Sequence, residues 1–404
     1  MRGFRDRAPV DAFQAWVDAL PAPHATETVP LDGALGRVLV EDLVSDVDVP
    51  AFERAAMDGW AVRGEDTFGA AATDPVALRV VGRALPGHRA PCAVGPGEAC
   101  RIMTGAPLPE GADAVLRAED GAEDEGRLAA RAPVAPGRHV GRVGEDVRSG
   151  DRLLEAGRRL RPQDVALASS VGRPTLLVCS RPTVDLLLTG DELLPAGSRP
   201  HDASIPDANG PLLSALVRRD GGRLGTTRLL PDRREAIEEA LREATADLVL
   251  VVGGSSVGEE DDAPRVGAGL GDLVFHGIAT RPAAPAGGGR LKGRPVFLIP
   301  GNPVSCLAAY DLFAGRALRR FAGRPPAMPY ARRRLPLARK VSSALGRLDY
   351  VRVRVTAAET IDPVMSRGAS ILSSTTRADG FLLVPASSEG WPPGTTVEVH
   401  LYGA

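Results

Sequence analysis

Leu248 to Val252 is an unbroken run of five aliphatic residues that stops at the pair Gly253-Gly254. A strand buried on one face alternates apolar and polar side chains. A run without alternation suits a strand covered on both faces, as in a parallel sheet flanked by helices. The two glycines let the chain turn sharply at the strand's carboxyl end. Ser255, Ser256 and Gly258 then offer hydroxyl and N–H groups to an anion, and Glu259, Glu260, Asp261 and Asp262 follow at once. Carboxylates beside an anion cradle can hold a phosphate through a divalent cation. A Walker-type loop needs a lysine after its last glycine, and Glu259 stands there. An ordinary strand-to-helix turn, with acids favoured at the helix start by the macrodipole, accounts for the same letters.

The neighbouring sequence repeats this texture. TLLVC, TVDLLL, RLGTTRLL, DLVFHGIA and VFLIP are strand candidates between Thr175 and Pro300, and PLLSALVRR and REAIEEALREA are helix candidates. Strands alternating with helices over this length predict a doubly wound α/β domain, whose ligands sit at the carboxyl ends of strands. Three stretches begin at such ends: TGDEL (Thr189 to Leu193), the Gly253-Gly254 loop and PGNPVS (Pro300 to Ser305). In the last, Asn302 is expected to cap a helix whose first position Pro303 occupies, so that free N–H groups face the crevice. A plain capped helix explains those letters equally.

The remaining chain is less regular. Val10, Phe13, Trp16, Val17 and Leu20 recur at helical spacing. Thr28 to Pro30 reads as a strand, Gly33 to Val40 as a short helix, and Gln163 to Val171 as a helix with Pro162 in its first turn. Residues 75–137 are β-rich. Within PAFERAAMDGWAV, Asp58-Gly59 is a hairpin-turn dipeptide, and Asp58 holding a ligand or cation is the other reading. Thr104-Gly105 sits at a strand end stiffened by two prolines. After an Arg/Pro linker that includes Arg332 to Arg334, alternating strands such as YVRVRV, FLLVP and TTVEVHLY read as a small β-barrel. A net charge of −2 gives no bulk field for nucleic acid or an anionic membrane. The four cysteines lack CxxC spacing, so neither a zinc site nor a disulfide framework is expected. With no signal core or membrane-length apolar run, the expected setting is cytoplasmic.

Taken in order, the motifs are AAMDGWA, RIMTGAPLPEGADAV, GRVGEDVRSGD, TGDEL, Asp207-Ala208-Asn209, GGSSVGEED, PGNPVS and SSTTRADGFLLVP. Together they resemble the molybdopterin molybdenumtransferase family, the MoeA and gephyrin E-domain type, over essentially the whole chain. The resemblance implies a multidomain α/β and β protein. An elongated N-terminal dimerisation domain (1–44 and 138–174) is interrupted by a small β-rich domain (45–137). A MogA-like, molybdopterin-binding α/β domain (175–325) and a C-terminal β-barrel (326–404) follow. It further implies a homodimer with the active cleft shared between subunits, and a molybdopterin adenylyltransferase as the partner that supplies the substrate. The implied reaction inserts molybdate into adenylylated molybdopterin with loss of AMP, assisted by Mg2+.

Matching motif by motif, the resemblance marks Asp58, Thr104, Asp146, Glu192 and Asp261 as catalytic, with Glu192 and Asp261 also on the metal. Substrate contacts fall to the loop of Gly253, Gly254, Ser255, Ser256 and Gly258, to Asp207 and Asn209, and to Pro300, Gly301, Asn302, Pro303 and Ser305. The family's MKPGKP segment stands here as TRPAAP, Thr280 to Pro285. Arg281 keeps the first positive charge, Ala283 replaces a glycine and Ala284 a lysine. Loss of that lysine is expected to weaken oxyanion binding, with Arg352 and Ser370 as compensating contacts. The alternative implied is a divergent paralogue that carries molybdopterin nucleotide or uses another oxyanion.

Overall fold

The computed structural model describes residues 7–22, 25–254, 271–365 and 368–403. The chain divides into two compact units, one of residues up to 28, 36–40 and 177 onward, the other of residues 29–35 and 41–176.

In the first unit, helix α1 is Val10–Asp18. The α/β layer follows as β1 (Thr183–Thr189), α2 (Asn209–Arg219), β2 (Arg223–Leu230), α3 (Arg234–Glu243), β3 (Leu248–Val252), β4 (Asp272–His276), β5 (Gly287–Leu291), β6 (Arg294–Ile299) and α4 (Pro303–Ala309). These strands form one six-stranded sheet in the order β2-β1-β3-β6-β5-β4. The run that reads as doubly covered is buried at every residue of β3. Its neighbours β1 and β6 pair with it in parallel, as β2 does with β1. The far edge, β5 and β4, is antiparallel. Sequence patterning passes over β5 because glycine is rare in strands, yet Gly287–Gly289 are needed there. A Cβ on Gly288 would lie 2.8 Å from the Phe13 ring, and one on Gly289 would lie 2.1 Å from the Asp272 carbonyl oxygen. Phe13 and Val17 of α1 are fully buried in this core, with the Phe13 ring 4.4 Å from Phe313 and 5.0 Å from Phe275. Burial of each such side chain stabilises by about 1.5–3 kcal/mol.

Beyond α4 the helix widens into a π turn over Tyr310–Ala314 and resumes as α5, Gly315–Phe321. Asp311 of that turn and Asp220 are buried among Arg219, Arg319 and Tyr330. Arg319 donates to Asp220 at 2.7 Å and the Tyr330 hydroxyl donates to Asp311 at 2.9 Å. The predicted helix over Gly33 to Val40 is not formed. One helical turn covers Leu31–Ala34, Gly36 at φ 74° ends it, and Leu39 bridges to Val178.

Arg332 to Arg334 are not a linker. They lie in the strand Ala331–Pro336, exposed on it and paired antiparallel with Thr396–Leu401. That sheet continues through Gly380–Val384 and Leu348–Val355 to Ile361–Met365. A bridge between Leu337 and Ile361 closes the circuit, as a barrel requires. The barrel also accepts an outside strand, since Thr280–Arg281 pairs in parallel with Leu348–Asp349.

The second unit is built on a sheet in the order Ala114–Arg117, Gly59–Val62, Glu98–Ile102, Val76–Ala84, Arg127–Ala130, Gly121–Asp124. Its core packs Trp60, Val62, Leu78, Leu116 and Leu128. Asp58-Gly59 is not a hairpin turn. The strand before it, Arg54–Ala55, pairs with Val140–Gly141, whereas Gly59–Val62 pairs with 98–102 and 114–117. Gly59 is required for close approach, because a Cβ there would fall 1.8 Å from the Leu116 carbonyl oxygen. The predicted helix is present at Pro162–Ser170, where the Asp164 carboxylate accepts the Arg161 N–H at 2.9 Å. The cysteines are free thiols.

Candidate active site

The carboxyl ends of β1, β3 and β6 lie side by side, as their registers require: Leu188 is level with Val252, and Val252 with Ile299. The chain therefore leaves three neighbouring strands at one edge of the sheet. Gly253 turns there at φ 95°. A Cβ on it would meet the Thr189 carbonyl oxygen at 2.4 Å, and a Cβ on Gly301 would touch Gly253 Cα at 3.4 Å. At position 253 only glycine lets the chain pass so close to Thr189.

Between the loops opens a cleft of about 850 Å³, walled by Glu192, Asp207, Asn209, Gly253, Gly254 and the segment Pro300 to Pro303. Asp207 is buried and accepts the Gly210 N–H at 2.9 Å, fastening the start of α2. Asn209 reaches across and donates from Nδ2 to the Gly301 carbonyl at 2.6 Å. Its Oδ1 is buried without a hydrogen-bond partner, an acceptor left over for a ligand, since such groups are costly to leave unmet. Asn302 stands at the N-cap position of α4, but its side chain makes no capping hydrogen bond. Pro303 takes the first helical position as expected. The Asn302 side chain is thereby left to the cleft wall.

A second pocket of about 570 Å³ shares Pro285, Pro300 and Asn302 with the first and is lined by Arg281, Ala284, Ser305, Arg347 and Arg352. Arg352 is buried, donating to the Ser374 hydroxyl at 2.6 Å and to the Gly368 carbonyl at 3.3 Å. Ser370 is exposed and lines the larger cleft rather than this pocket. Ala283, in the glycine's place, is held at φ 78°.

In the second unit, Asp58 Oδ1 accepts both the Thr104 N–H and the Thr104 hydroxyl, each at 2.7 Å. These donors, the backbone N–H first, hold the Asp58 carboxyl below its ordinary value. Both side chains are exposed, as is Asp146, whose N–H donates to the Val49 carbonyl at 3.1 Å. Ser255, Ser256, Gly258 and Asp261 lie outside the described residues.

Sequence reasoning missed Asp232, Arg347 and Asp349. Asp232 follows β2 and lines the larger cleft. Partial desolvation pushes its carboxyl up, and the charges of Glu192 and Asp191 add to the shift. The rule that ligands sit at strand ends applies to it as it does to Glu192. Arg347 and Asp349 carried no such signal, since their neighbours come from a distant part of the chain.

Three family descriptions match this chain in succession: "MoeA N-terminal region (domain I and II)" over residues 8–172, "Probable molybdopterin binding domain" over 185–320, and "MoeA C-terminal region (domain IV)" over 334–402. A molybdopterin molybdenumtransferase of Synechococcus elongatus is 34% identical, the alignment covering 97% of this chain and 98% of that one. One from Staphylococcus aureus is 29% identical, covering 93% and 90%. The crystal structure of a molybdopterin biosynthesis MoeA protein from Pyrococcus horikoshii superposes with a TM-score of 0.83 at 34% identity, covering 99% of this chain and all of that one.

Proposed function

The chain belongs to the MoeA family of molybdopterin molybdenumtransferases, and from that premise we propose that it inserts molybdate into adenylylated molybdopterin and releases AMP. The observation that carries the proposal is the pair of adjoining pockets. One is a glycine-floored cleft with an unmet acceptor, suited to a nucleotide-bearing pterin. The other is an arginine-lined pocket suited to a compact oxyanion. The two pockets share a wall of Pro285, Pro300 and Asn302, and substrates bound in them would lie side by side, which would remove much of the entropic cost of bringing them together.

In this reading Gly253 and Gly254, with Ser255, Ser256 and Gly258, present N–H and hydroxyl groups to the phosphates. Asp207 fixes the start of α2, and Asn209 braces the Pro300–Ser305 loop while offering its free Oδ1. Arg281 and Arg352 face the oxyanion, and Ser305 and Ser370 complete the polar walls of the two pockets. A water oxygen bonds to one phosphorus of the phosphoanhydride as the bridging P–O bond breaks, so that AMP leaves and the pterin keeps its own phosphate. The two dithiolene sulfurs bind molybdenum, and the two protons they give up leave with one displaced oxo group as water.

A magnesium ion, when bound, neutralises charge on the phosphate oxygens. We assign Glu192 and Asp261 to hold it. Among the described residues no group of three His, Cys, Asp or Glu side chains forms a metal cage. Magnesium takes only one or two carboxylates beside waters and phosphate oxygens, and Glu192, on the cleft wall, meets that requirement.

The same proposal includes a homodimer. Asp58, Thr104 and Asp146 would serve the cleft of a second copy, with Thr104 keeping Asp58 ionised. It also includes a cytoplasmic setting and a molybdopterin adenylyltransferase as the supplier of substrate. Among the described residues no helix is long and apolar enough to cross a membrane.

The test is to give purified protein adenylylated molybdopterin and molybdate. Molybdate-dependent AMP release with formation of active cofactor is expected. Tight binding of the pterin nucleotide without turnover would instead identify a carrier.

A further inference from the structure

The sheet of the second unit carries two thiols in contact, Cys92 and Cys100, that the reaction does not use. Cys100 lies in the strand Glu98–Ile102, where the register sets Ala61 opposite it on one side and Gly82 on the other. Opposed residues project to the same face of a sheet, so Cys100 is flanked there by one methyl group and by bare backbone. The chain returns over this face, with the Val94 N–H donating to the Glu110 carbonyl at 2.8 Å. Cys92 packs against the same small-residue cluster that holds Ala61, Val94 and Cys100. Its sulfur fills the space over Gly82, where a Cβ would lie 2.7 Å from Cys92 Sγ. The two sulfurs stand 3.3 Å apart, against about 2.05 Å in a disulfide, so a closure of about 1.2 Å shared between two side chains joins them. Both are free thiols, Cys92 half-buried and Cys100 buried. Burial first, and then the Cys92 sulfur beside it, pushes the Cys100 thiol up. Cys100 is thus protonated and shielded, and an oxidant from solvent meets Cys92 first.

We propose that Cys92 and Cys100 form a peroxide-oxidisable dithiol, in which Cys92 takes the oxidant and Cys100 resolves the product as a disulfide within the chain. The Cys92 thiolate sulfur attacks one oxygen of hydrogen peroxide and the O–O bond breaks. Cys92 becomes a sulfenic acid, and the other oxygen leaves as water with the proton that Cys92 gave up. The Cys100 sulfur then attacks the Cys92 sulfur, the S–O bond breaks, and the hydroxyl leaves as water with the Cys100 proton. In sum the two thiols lose two electrons and two protons, and one peroxide becomes two waters. The contact between the sulfurs decides the outcome. A sulfenic acid with no thiol at hand is carried on to sulfinic and sulfonic acids, which a thiol reductant does not reverse. A disulfide is returned to two thiols by exchange. The pair therefore keeps oxidation of the exposed sulfur reversible.

The test exposes the folded full-length protein to hydrogen peroxide, blocks the remaining thiols by alkylation, and maps each cysteine by peptide mass. A Cys92–Cys100 disulfide within one chain is expected, and dithiothreitol should return it to two thiols. Cys100→Ala removes the resolving thiol. At the same peroxide dose its Cys92 is expected mainly as sulfinic or sulfonic acid, which dithiothreitol leaves in place. In Cys92→Ser, a change at the half-buried position that tests the pair even where Cys100→Ala does not fold, Cys100 is expected to remain a free thiol. Three results would overturn the inference. Wild-type Cys92 could be oxidised irreversibly as in Cys100→Ala, or be joined to another cysteine or another chain. Cys100 in Cys92→Ser could be oxidised as fast as Cys92 in wild type. Both thiols could stay free in wild type at a dose that oxidises a cysteine-containing peptide.

Discussion

Ala283 shows how a single residue can sit against its own backbone. At φ 78° it occupies the left-handed region, which costs an L-residue about 1–2 kcal/mol. It is also 1% exposed, so its methyl group is buried. Replacement by glycine relieves the strain, but it frees the unfolded chain by about 0.4–1 kcal/mol and forfeits roughly 0.8 kcal/mol of methyl burial. These effects nearly cancel. Ala283→Gly is therefore expected to change stability by less than about 0.5 kcal/mol, whereas the same change at a buried alanine in ordinary backbone costs about 1–2 kcal/mol. Chemical denaturation of the two proteins decides it, and a loss in the larger range would mean that the turn carries no strain. The sequence announces the position, as a residue where a glycine is usual, but not its backbone angle. The cleft residues Glu192, Gly253 and Asn302 were legible because they follow apolar strands. Arg347 and Asp349 were not, because their meaning comes from pairing with Arg281 across more than sixty residues.

Elements were legible where one periodicity governed them and illegible where tertiary contacts overrode it. The five aliphatic residues of β3 and the apolar stripe of α1 were read correctly. The glycine strand β5 was not, since close packing by Phe13 and β4, rather than propensity, makes it a strand. The hairpin reading of Asp58-Gly59 failed for a similar reason: its flanking strands pair with distant partners. The helix Pro162–Ser170 offers a test at this scale. Burial alone would raise the Asp164 carboxyl, but hydrogen bonds from Arg161 and Arg158 outweigh it and hold the group far below the usual carboxylate range. A depressed folded pKa means that the stabilisation is complete above the unfolded value of about 3.9 and drains away as pH falls through the folded value. Asp164→Asn is thus expected to lower the unfolding midpoint at pH 6, and the gap from wild type should narrow steadily below pH 4. A gap of constant size across that range would show that the ion pairs contribute no pH-dependent stability.

At the scale of the whole molecule, the proposal divides the catalytic groups between copies of the chain. Asp58→Ala and Glu192→Ala proteins should each be inactive alone. Mixed and reassociated, they should recover up to about a quarter of wild-type AMP release, since random pairing makes half the dimers mixed and each mixed dimer keeps one intact cleft. Mixed dimers that form without recovery would put both acids in the same cleft of one chain.

The central claim is that two adjoining pockets hold the nucleotide and the oxyanion side by side. It is tested most directly by a crystal soaked with AMP and molybdate and measured for the anomalous scattering of molybdenum. A molybdenum peak is expected among Arg281, Arg347 and Arg352, with AMP in the cleft floored by Gly253 and Gly301. A molybdenum peak on the nucleotide side of Asn302, or one remote from both pockets, would contradict it.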